Sequence, residues 1–188
     1  MKLKRILSGV LAAAVAVSSM TLPAFSVSAA SGGPTDPIDY AALFTYSDQG
    51  DSYMVTALTD NYQDILNGTT EIILPDAYNG KVCDSINASI FNGNNYFTKV
   101  TLPSTYKATN TALFKNCVTL KEVAFENVET FRISTTTFSG CTSLEKLYIY
   151  ANSLESPTNK TVFTNVPVTA VAYVKNDTVK EQLTNWPG

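Results

Sequence analysis

The sequence predicts an α/β solenoid of about four coils, in which short parallel β-strands alternate with turns or short helices. Three observations predict it: a phenylalanine recurring at spacings of 23, 24 and 25 residues, a glycine or asparagine two positions later, and an apolar–polar alternation beyond that. Such a period is typical of repeat proteins, in which each unit buries its apolar face only against its neighbours. The recurring residues are Phe91, Phe114, Phe138 and Phe163.

A sharp turn is predicted two residues after each phenylalanine. Only glycine and asparagine occupy this position, and both tolerate a left-handed backbone conformation. The position after it is mostly small, which allows side chains to stack from coil to coil. The turn residues are Gly93, Asn116, Gly140 and Asn165, and the residues after them are Asn94, Cys117, Cys141 and Val166.

Each turn is followed by an L-x-x-L-x-L pattern of apolar residues. Its last three positions alternate between the inward and the outward side, which predicts a short, half-buried strand. The fourth copy is interpreted as one residue short between Phe163 and Val171, which places Ala170 beside Lys146. Three copies carry the pattern in full: Phe97-x-x-Val100-x-Leu102, Leu120-x-x-Val123-x-Phe125 and Leu144-x-x-Leu147-x-Ile149.

The Phe-Ser-Gly-Cys-Thr-Ser-Leu segment that begins at Phe138 resembles the common form of the BspA-like leucine-rich repeats of bacterial surface and secreted proteins. The segments from Thr70 to Lys81 and from Ala172 to Asp177 are similar to the same family. The resemblance extends from about Leu43 to the C-terminus. It implies a leucine-rich-repeat solenoid and a role in adhesion to host matrix proteins or to neighbouring bacteria.

One folded domain is predicted at residues 41–188, with an N-terminal cap at 41–70, repeats at 71–174 and a C-terminal cap at 175–188. The N-terminal cap is predicted as a β-hairpin, since two strand-like runs flank a polar turn. The polar stretch 60–68 is expected to be a loop.

The first solenoid strand is predicted at Glu71, because the segment from Glu71 to Pro75 matches the one that starts at Lys99. An insertion is expected around residues 76–82. At the other end, Asp177 is predicted to cap a short helix whose Val179 and Leu183 face the last coil, with Trp186 covering the remaining apolar surface.

Residues 1–30 are predicted to be a secretory signal peptide, and residues 31–40 a flexible tether. Lys2, Lys4 and Arg5 precede an apolar run, and small residues before Ala29 and Ala30 suit cleavage at either position. Export to an extracellular or loosely surface-associated location follows. No membrane span is expected once this segment is removed.

The mature domain is expected to be acidic. Removing the signal peptide removes three basic and no acidic residues, so the formal net charge changes from −3 to −6. An acidic domain without basic clusters does not favour nucleic acid as a partner.

Three cysteines in an exported chain leave two interpretations. Cys117 and Cys141 hold equivalent positions one coil apart, about 4.8 Å by the strand spacing, so a disulfide is sterically possible. The alternative is a column of small buried thiols. Buried thiols are favoured, because Asn94 and Val166 continue the column without sulfur.

Catalysis is not expected from this composition. The chain has no histidine, which removes the Ser-His-Asp and Cys-His arrangements and histidine-ligated metals. Glu122 and Glu126 would point the same way, but four residues of strand separate them by roughly 13 Å. Known glycosidase pairs lie about 5–9.5 Å apart. We predict no enzyme activity, no metal and no cofactor.

A binding surface is predicted on the outward side of the sheet. Tyr148 and Tyr150 alternate with buried residues, so both rings should face solvent beside Lys146. An exposed aromatic pair with a charged rim is typical of a recognition patch, although tyrosine is also simply a good strand residue. The predicted binding residues are Tyr148, Tyr150, Lys146, Glu122 and Thr101.

The function predicted from these features is a secreted, non-catalytic module that presents a rigid surface to an extracellular protein. The alternative is a carbohydrate-binding accessory module, because exposed tyrosines also stack on sugar rings. An unusual enzyme and a purely structural spacer are the remaining hypotheses.

Overall fold

The structure is a computed structural model that describes residues 14–16, 38–106, 109, 112–155 and 161–184. For residues 14–16, 127 and 128 it describes the backbone only. Most of the predicted signal peptide and tether lies outside the described residues, as does the predicted Trp186 contact.

Strands dominate the described part of the chain. They are β1 (Ala14–Ala16), β2 (Phe44–Asp48), β3 (Ser52–Leu58), β4 (Glu71–Ile73), β5 (Ala77–Tyr78), β6 (Lys81–Ile86), β7 (Lys99–Leu102), β8 (Glu122–Arg132), β9 (Lys146–Glu155) and β10 (Val171–Val174). The helices are a 3₁₀ helix (Tyr40–Leu43), α1 (Tyr62–Leu66) and α2 (Asp177–Thr184).

The solenoid is built on a parallel sheet with the strand order β4-β7-β8-β9-β10-β1. Consecutive coils supply neighbouring strands, which confirms the predicted solenoid of about four coils and the first solenoid strand at Glu71. The outermost strand, β1, pairs in parallel with β10. It lies inside the predicted signal peptide, whose cleavage stays a prediction.

The N-terminal cap is a second, four-stranded sheet in the order β2-β3-β6-β5. Its antiparallel β2–β3 pair is the predicted hairpin. The insertion expected around residues 76–82 forms β5 and the start of β6, which join this sheet.

The prediction of a loop at 60–68 is wrong, because α1 occupies its centre. Leu66 is fully buried and Ile65 packs against the core, so one face of this short helix is anchored by burial. Asn67 ends the helix in the left-handed conformation (φ 45°), and its N–H donates to the carbonyls of Gln63 and Asp64. Burial supplies the stability that a five-residue helix lacks alone.

The recurring phenylalanines form one continuous stack through the core. The ring centroids of Phe91 and Phe114 are 5.5 Å apart with nearly parallel planes, and those of Phe114 and Phe138 are 5.6 Å apart. Phe163 adds a fourth ring at 5.6 Å from Phe138. The predicted superposition of the four rings is confirmed.

The predicted turns are left-handed in every repeat. The φ angles are 71° at Gly93, 59° at Asn116, 81° at Gly140 and 62° at Asn165. Three of these residues also donate a backbone hydrogen bond of 2.8 Å to a carbonyl of the next coil. The turns therefore stack on one another, just as the strands do.

Two strands are much longer than the short strands predicted. β8 has 11 residues and β9 has 10, and their pairing continues past a bulge between Phe125 and Val128. The extension is stabilised by burial, since Phe131 is fully buried with its ring centroid 4.3 Å from that of Phe125.

The cysteines are free and buried, as the thiol-column interpretation expects. Cys117 Sγ donates to the carbonyl of Phe91 at 2.8 Å, and Cys141 Sγ donates to that of Phe114 at 2.9 Å. Each thiol therefore links its coil to the preceding one. Burial raises the pKa of both Cys117 and Cys141 to about 12.

This burial predicts that the native thiols are unreactive. At pH 8 the raised pKa suppresses the thiolate, which is the reactive species, and the fold excludes the reagent. We expect Ellman's reagent to titrate no thiol rapidly in native buffer and all three in guanidinium chloride. Fast reaction of Cys117 or Cys141 without denaturant would contradict the buried column.

The C-terminal cap is helix α2, with Val179 fully buried and Leu183 packed against the core as predicted. The capping residue was predicted one position too late. The Asn176 side chain, not Asp177, accepts the Val179 N–H at 2.9 Å. Neither α-helix in the described residues has the length and apolarity that a membrane crossing needs.

Candidate binding face

The parallel register aligns side chains into columns on the outward face of the sheet. The first column begins at Glu71 and continues through Lys99, Glu122 and Lys146 to Val171. Lys99 Nζ lies 3.0 Å from Glu122 Oε1 and 3.8 Å from Glu71 Oε2, and Lys146 Nζ lies 3.5 Å from Glu122 Oε2. These four side chains form a ladder of alternating charge across strands β4, β7, β8 and β9.

The ladder orders the face more than it stabilises the fold. Glu122 is the best-shielded member, with 19 % of its side chain exposed, whereas 44 % of Lys146 is exposed. Exposed ion pairs of this kind contribute about 0–1 kcal/mol each. What the ladder supplies is side chains held in defined positions, with Lys146 at the open end.

The second column corrects one predicted binding residue. It reads Ile73, Thr101, Ala124, Tyr148 and Tyr173. Thr101 is only 3 % exposed, so it is not a surface contact residue. Its short side chain lies in register between Ile73 and Ala124, and Ala124 is fully buried as well, so this part of the column does not reach solvent.

The same column places three tyrosines together at the β9–β10 end. The rings of Tyr148 and Tyr173 stack with centroids 4.8 Å apart and planes 14° apart. Tyr150 lies 6.1 Å from Tyr148 on the same strand. All three side chains are half-exposed. We call Tyr148, Tyr150, Tyr173 and Lys146 the tyrosine patch.

The predicted register of the fourth repeat is wrong by one residue, and for this reason the sequence does not predict Tyr173 as part of the binding face. The register pairs Val171, not Ala170, with Lys146, and Tyr173, not Ala172, with Tyr148. The spacing between the phenylalanine and the first column residue is eight positions in all four copies, as in Phe138–Lys146 and Phe163–Val171. Applying this constant spacing to the fourth copy predicts Tyr173 beside Tyr148. The fourth copy is therefore not short.

The ionisation of the patch suits molecular recognition at neutral pH. Burial, followed by the Glu122 carboxylate, raises the pKa of Tyr148, so its hydroxyl stays protonated. Burial and then Tyr148 raise the pKa of Tyr150. Tyr148 and then Glu122 raise the pKa of Lys146, which stays charged. The face offers neutral hydroxyls next to a cation.

The described residues contain no group of three or more cysteine, aspartate or glutamate side chains placed to hold a metal ion. What the face can do chemically is present ring surface, hydroxyl groups and fixed charges to a partner.

Comparison with known proteins identifies the fold. The BspA type leucine-rich repeat region matches residues 67–182 in six copies. Among curated proteins, no sequence matches the chain significantly.

Solved structures of leucine-rich repeat proteins have the same fold. One from Bacteroides capillosus superposes with a TM-score of 0.58 at 19 % identity, over 72 % of this chain and 96 % of that one. The T. pallidum leucine-rich repeat protein gives a TM-score of 0.53 at 18 % identity over 71 % of this chain. The match spans 63 % of the T. pallidum protein.

The family match covers more than half of the sequence, and the matched region contains the coils that stack Phe91, Phe114, Phe138 and Phe163. The chain belongs to the BspA-type leucine-rich repeat family.

Proposed function

We propose that the chain is an exported, non-catalytic repeat module that binds an extracellular protein through the tyrosine patch. The family is one of repeat scaffolds for protein interaction, found in bacterial surface proteins. The observation that carries the proposal is the stack of Tyr148 on Tyr173 beside Tyr150. Export rests on the basic and apolar pattern of the N-terminal residues.

The composition of the patch favours a protein partner. Tyrosine is enriched among the residues that dominate binding energy at protein interfaces, and charged residues characterise the rim around them. Here the rings form the centre, and the ion pair of Lys146 with Glu122, whose Nζ and Oε2 atoms lie 3.5 Å apart, supplies charge beside them. Tyrosine buries a large area while losing little side-chain entropy.

The scaffold lowers the entropic cost of binding. Stacking holds Tyr148 against Tyr173, and both strands are fixed by the parallel ladder between β9 and β10. A surface that is already ordered before binding loses less conformational freedom in the complex.

The proposal predicts that Tyr148→Ala combined with Tyr173→Ala weakens binding by about 30-fold or more, which corresponds to about 2 kcal/mol. The partner is first captured from extracellular-matrix and cell-wall extracts, and its affinity is then measured by surface plasmon resonance. Val168→Ala is the control, because this side chain is 67 % exposed in the turn before β10.

An unchanged affinity of the double variant would refute the assignment of the patch. Circular dichroism checks that the variant is folded. The alternative of carbohydrate binding by these tyrosines predicts instead that a purified glycan binds in a Tyr148-dependent way and that protein capture is unaffected by the double substitution.

A further inference from the structure

A second concave surface lies where the N-terminal cap meets the first repeat. It is a groove of about 490 Å³ between helix α1 and the turn that precedes β7. Functional small-molecule sites have volumes of about 300–1,000 Å³. Its polar and aromatic walls are formed by Tyr62, Gln63, Asn92, Asn94, Asn95 and Tyr96, which we call the amide–tyrosine groove. It shares no residue with the tyrosine patch.

The groove is uncharged although the protein is acidic. Of the described side chains that line it, none carries a formal charge. Phosphate and carboxylate ligands are usually held by arginine or lysine, which are missing from this lining. A cationic ligand would need a carboxylate, which is missing too. The lining therefore fits a neutral ligand.

Amide side chains match the hydrogen-bonding needs of hydroxyl groups. Each amide offers both a donor and an acceptor, as a hydroxyl does. In the described part of the chain, the Asn92 side chain and Asn95 Nδ2 have no protein partner, while Asn95 Oδ1 accepts the Val118 N–H at 3.2 Å. One end of Asn95 is thus held in place, and its other end is available to a ligand.

The tyrosines supply ring surface next to these amides. Tyr62 and Tyr96 lie with their centroids 5.7 Å apart and their planes nearly perpendicular, at 88°. Both are half-exposed. Ring faces carry partial negative charge and favour contact with the slightly positive C–H groups of an apolar ligand face.

Asn94 links the two sides of the groove by hydrogen bonds, which keeps the groove rigid. Its Oδ1 accepts the Tyr96 N–H at 2.9 Å, and its Nδ2 donates to the Tyr62 hydroxyl at 3.2 Å. Gln63 Nε2 donates to the same hydroxyl at 3.0 Å. In the next two coils this position is Cys117 and Cys141, whose thiols each donate to a carbonyl of the preceding coil. Asn94 replaces that contact by a link to the cap.

We propose that the amide–tyrosine groove binds a neutral saccharide. Hydroxyl groups would pair with Asn92, Asn95 and Gln63, and the apolar face of a sugar ring would pack on Tyr96. Neutral sugars combine many hydroxyl groups with a C–H-rich ring face. The groove offers amide side chains for the hydroxyl groups and a tyrosine ring for the C–H-rich face.

The test is titration of the purified protein with neutral oligosaccharides built from glucose, galactose, mannose, xylose or N-acetylglucosamine, monitored by nuclear magnetic resonance. Polygalacturonate and heparin oligosaccharides are the acidic probes. At least one neutral probe should bind with a Kd of about 1 mM or tighter. The perturbed amide signals should include those of Asn92, Asn95 and Tyr96.

Two substitutions, each with its control, locate the site. Asn92→Ala and Tyr96→Ala should each weaken binding at least about tenfold, a change of about 1.4 kcal/mol. Asn87→Ala is the matched control for the asparagine, because it too is exposed but lies outside the groove. Tyr148→Ala should leave saccharide binding unchanged, which separates this groove from the tyrosine patch.

The proposal is overturned if no neutral probe binds with a Kd of about 1 mM or tighter. It is also overturned if Asn92→Ala binds as well as the unmodified protein, or if the acidic probes bind more tightly than every neutral one. Asn92 makes no side-chain hydrogen bond within the described residues, so its replacement is not expected to disturb folding. None of these results depends on whether the tyrosine patch binds a protein.

Discussion

Replacing Phe114 with alanine is expected to lower the free energy of unfolding by about 3–5 kcal/mol, the usual cost of truncating a fully buried aromatic residue. Phe114 is an interior ring of the stack, with Phe91 on one side and Phe138 on the other. The substitution would leave a cavity between two coils and remove two ring contacts. Urea denaturation followed by circular dichroism measures the loss.

Phe163→Ala is the matched control. Its ring stacks on Phe138 at the same distance, but its side chain is half-exposed rather than fully buried. We expect a clearly smaller loss, since less apolar area is removed from a partly solvated site. Equal losses for the two variants would show that stacking through the interior of the solenoid does not dominate its stability.

Gly140→Ala is expected to cost about 2–4 kcal/mol, from two causes that act together. The backbone at Gly140 is left-handed, with φ 81°, where a Cβ atom is unfavourable. The added Cβ would also lie 3.3 Å from Asn116 Cα and closer still to Asn116 Oδ1. The neighbouring turn would have to move.

Two further variants separate the two causes. Gly93→Ala meets no atom within 4 Å, although its φ is 71°, so it should lose only about 1–2 kcal/mol. Combining Gly140→Ala with Asn116→Gly removes the clashing amide and should recover at least about 1 kcal/mol relative to additivity. Additive losses would show that the stacked turns do not constrain each other.

Local requirements explain why so much of the fold could be predicted. A left-handed turn favours glycine or asparagine wherever it occurs, and a buried position in the phenylalanine stack favours a large apolar residue. Both demands recur in each coil, so the positions of Gly93, Asn116, Gly140 and Asn165 predict the turns from the sequence alone. Their φ angles agree.

The candidate site was predicted less completely, because it depends on register and on shielding. The residues Tyr148, Tyr150, Lys146 and Glu122 lie on the outward face as expected, but Thr101 is buried. A shift of one residue in one strand exchanges its two faces. That shift hid Tyr173, which is the ring that stacks on Tyr148.

The sequence by itself determined the repeat period, the four stacked phenylalanines, the turns and the identity of the family, since each is a local demand repeated along the chain. Only the tertiary structure decided the register of the last coil, the length of β8 and β9, helix α1 and the amide–tyrosine groove. Those features arise where segments distant in sequence pack together, and the energy of such contacts is not encoded in any one repeat.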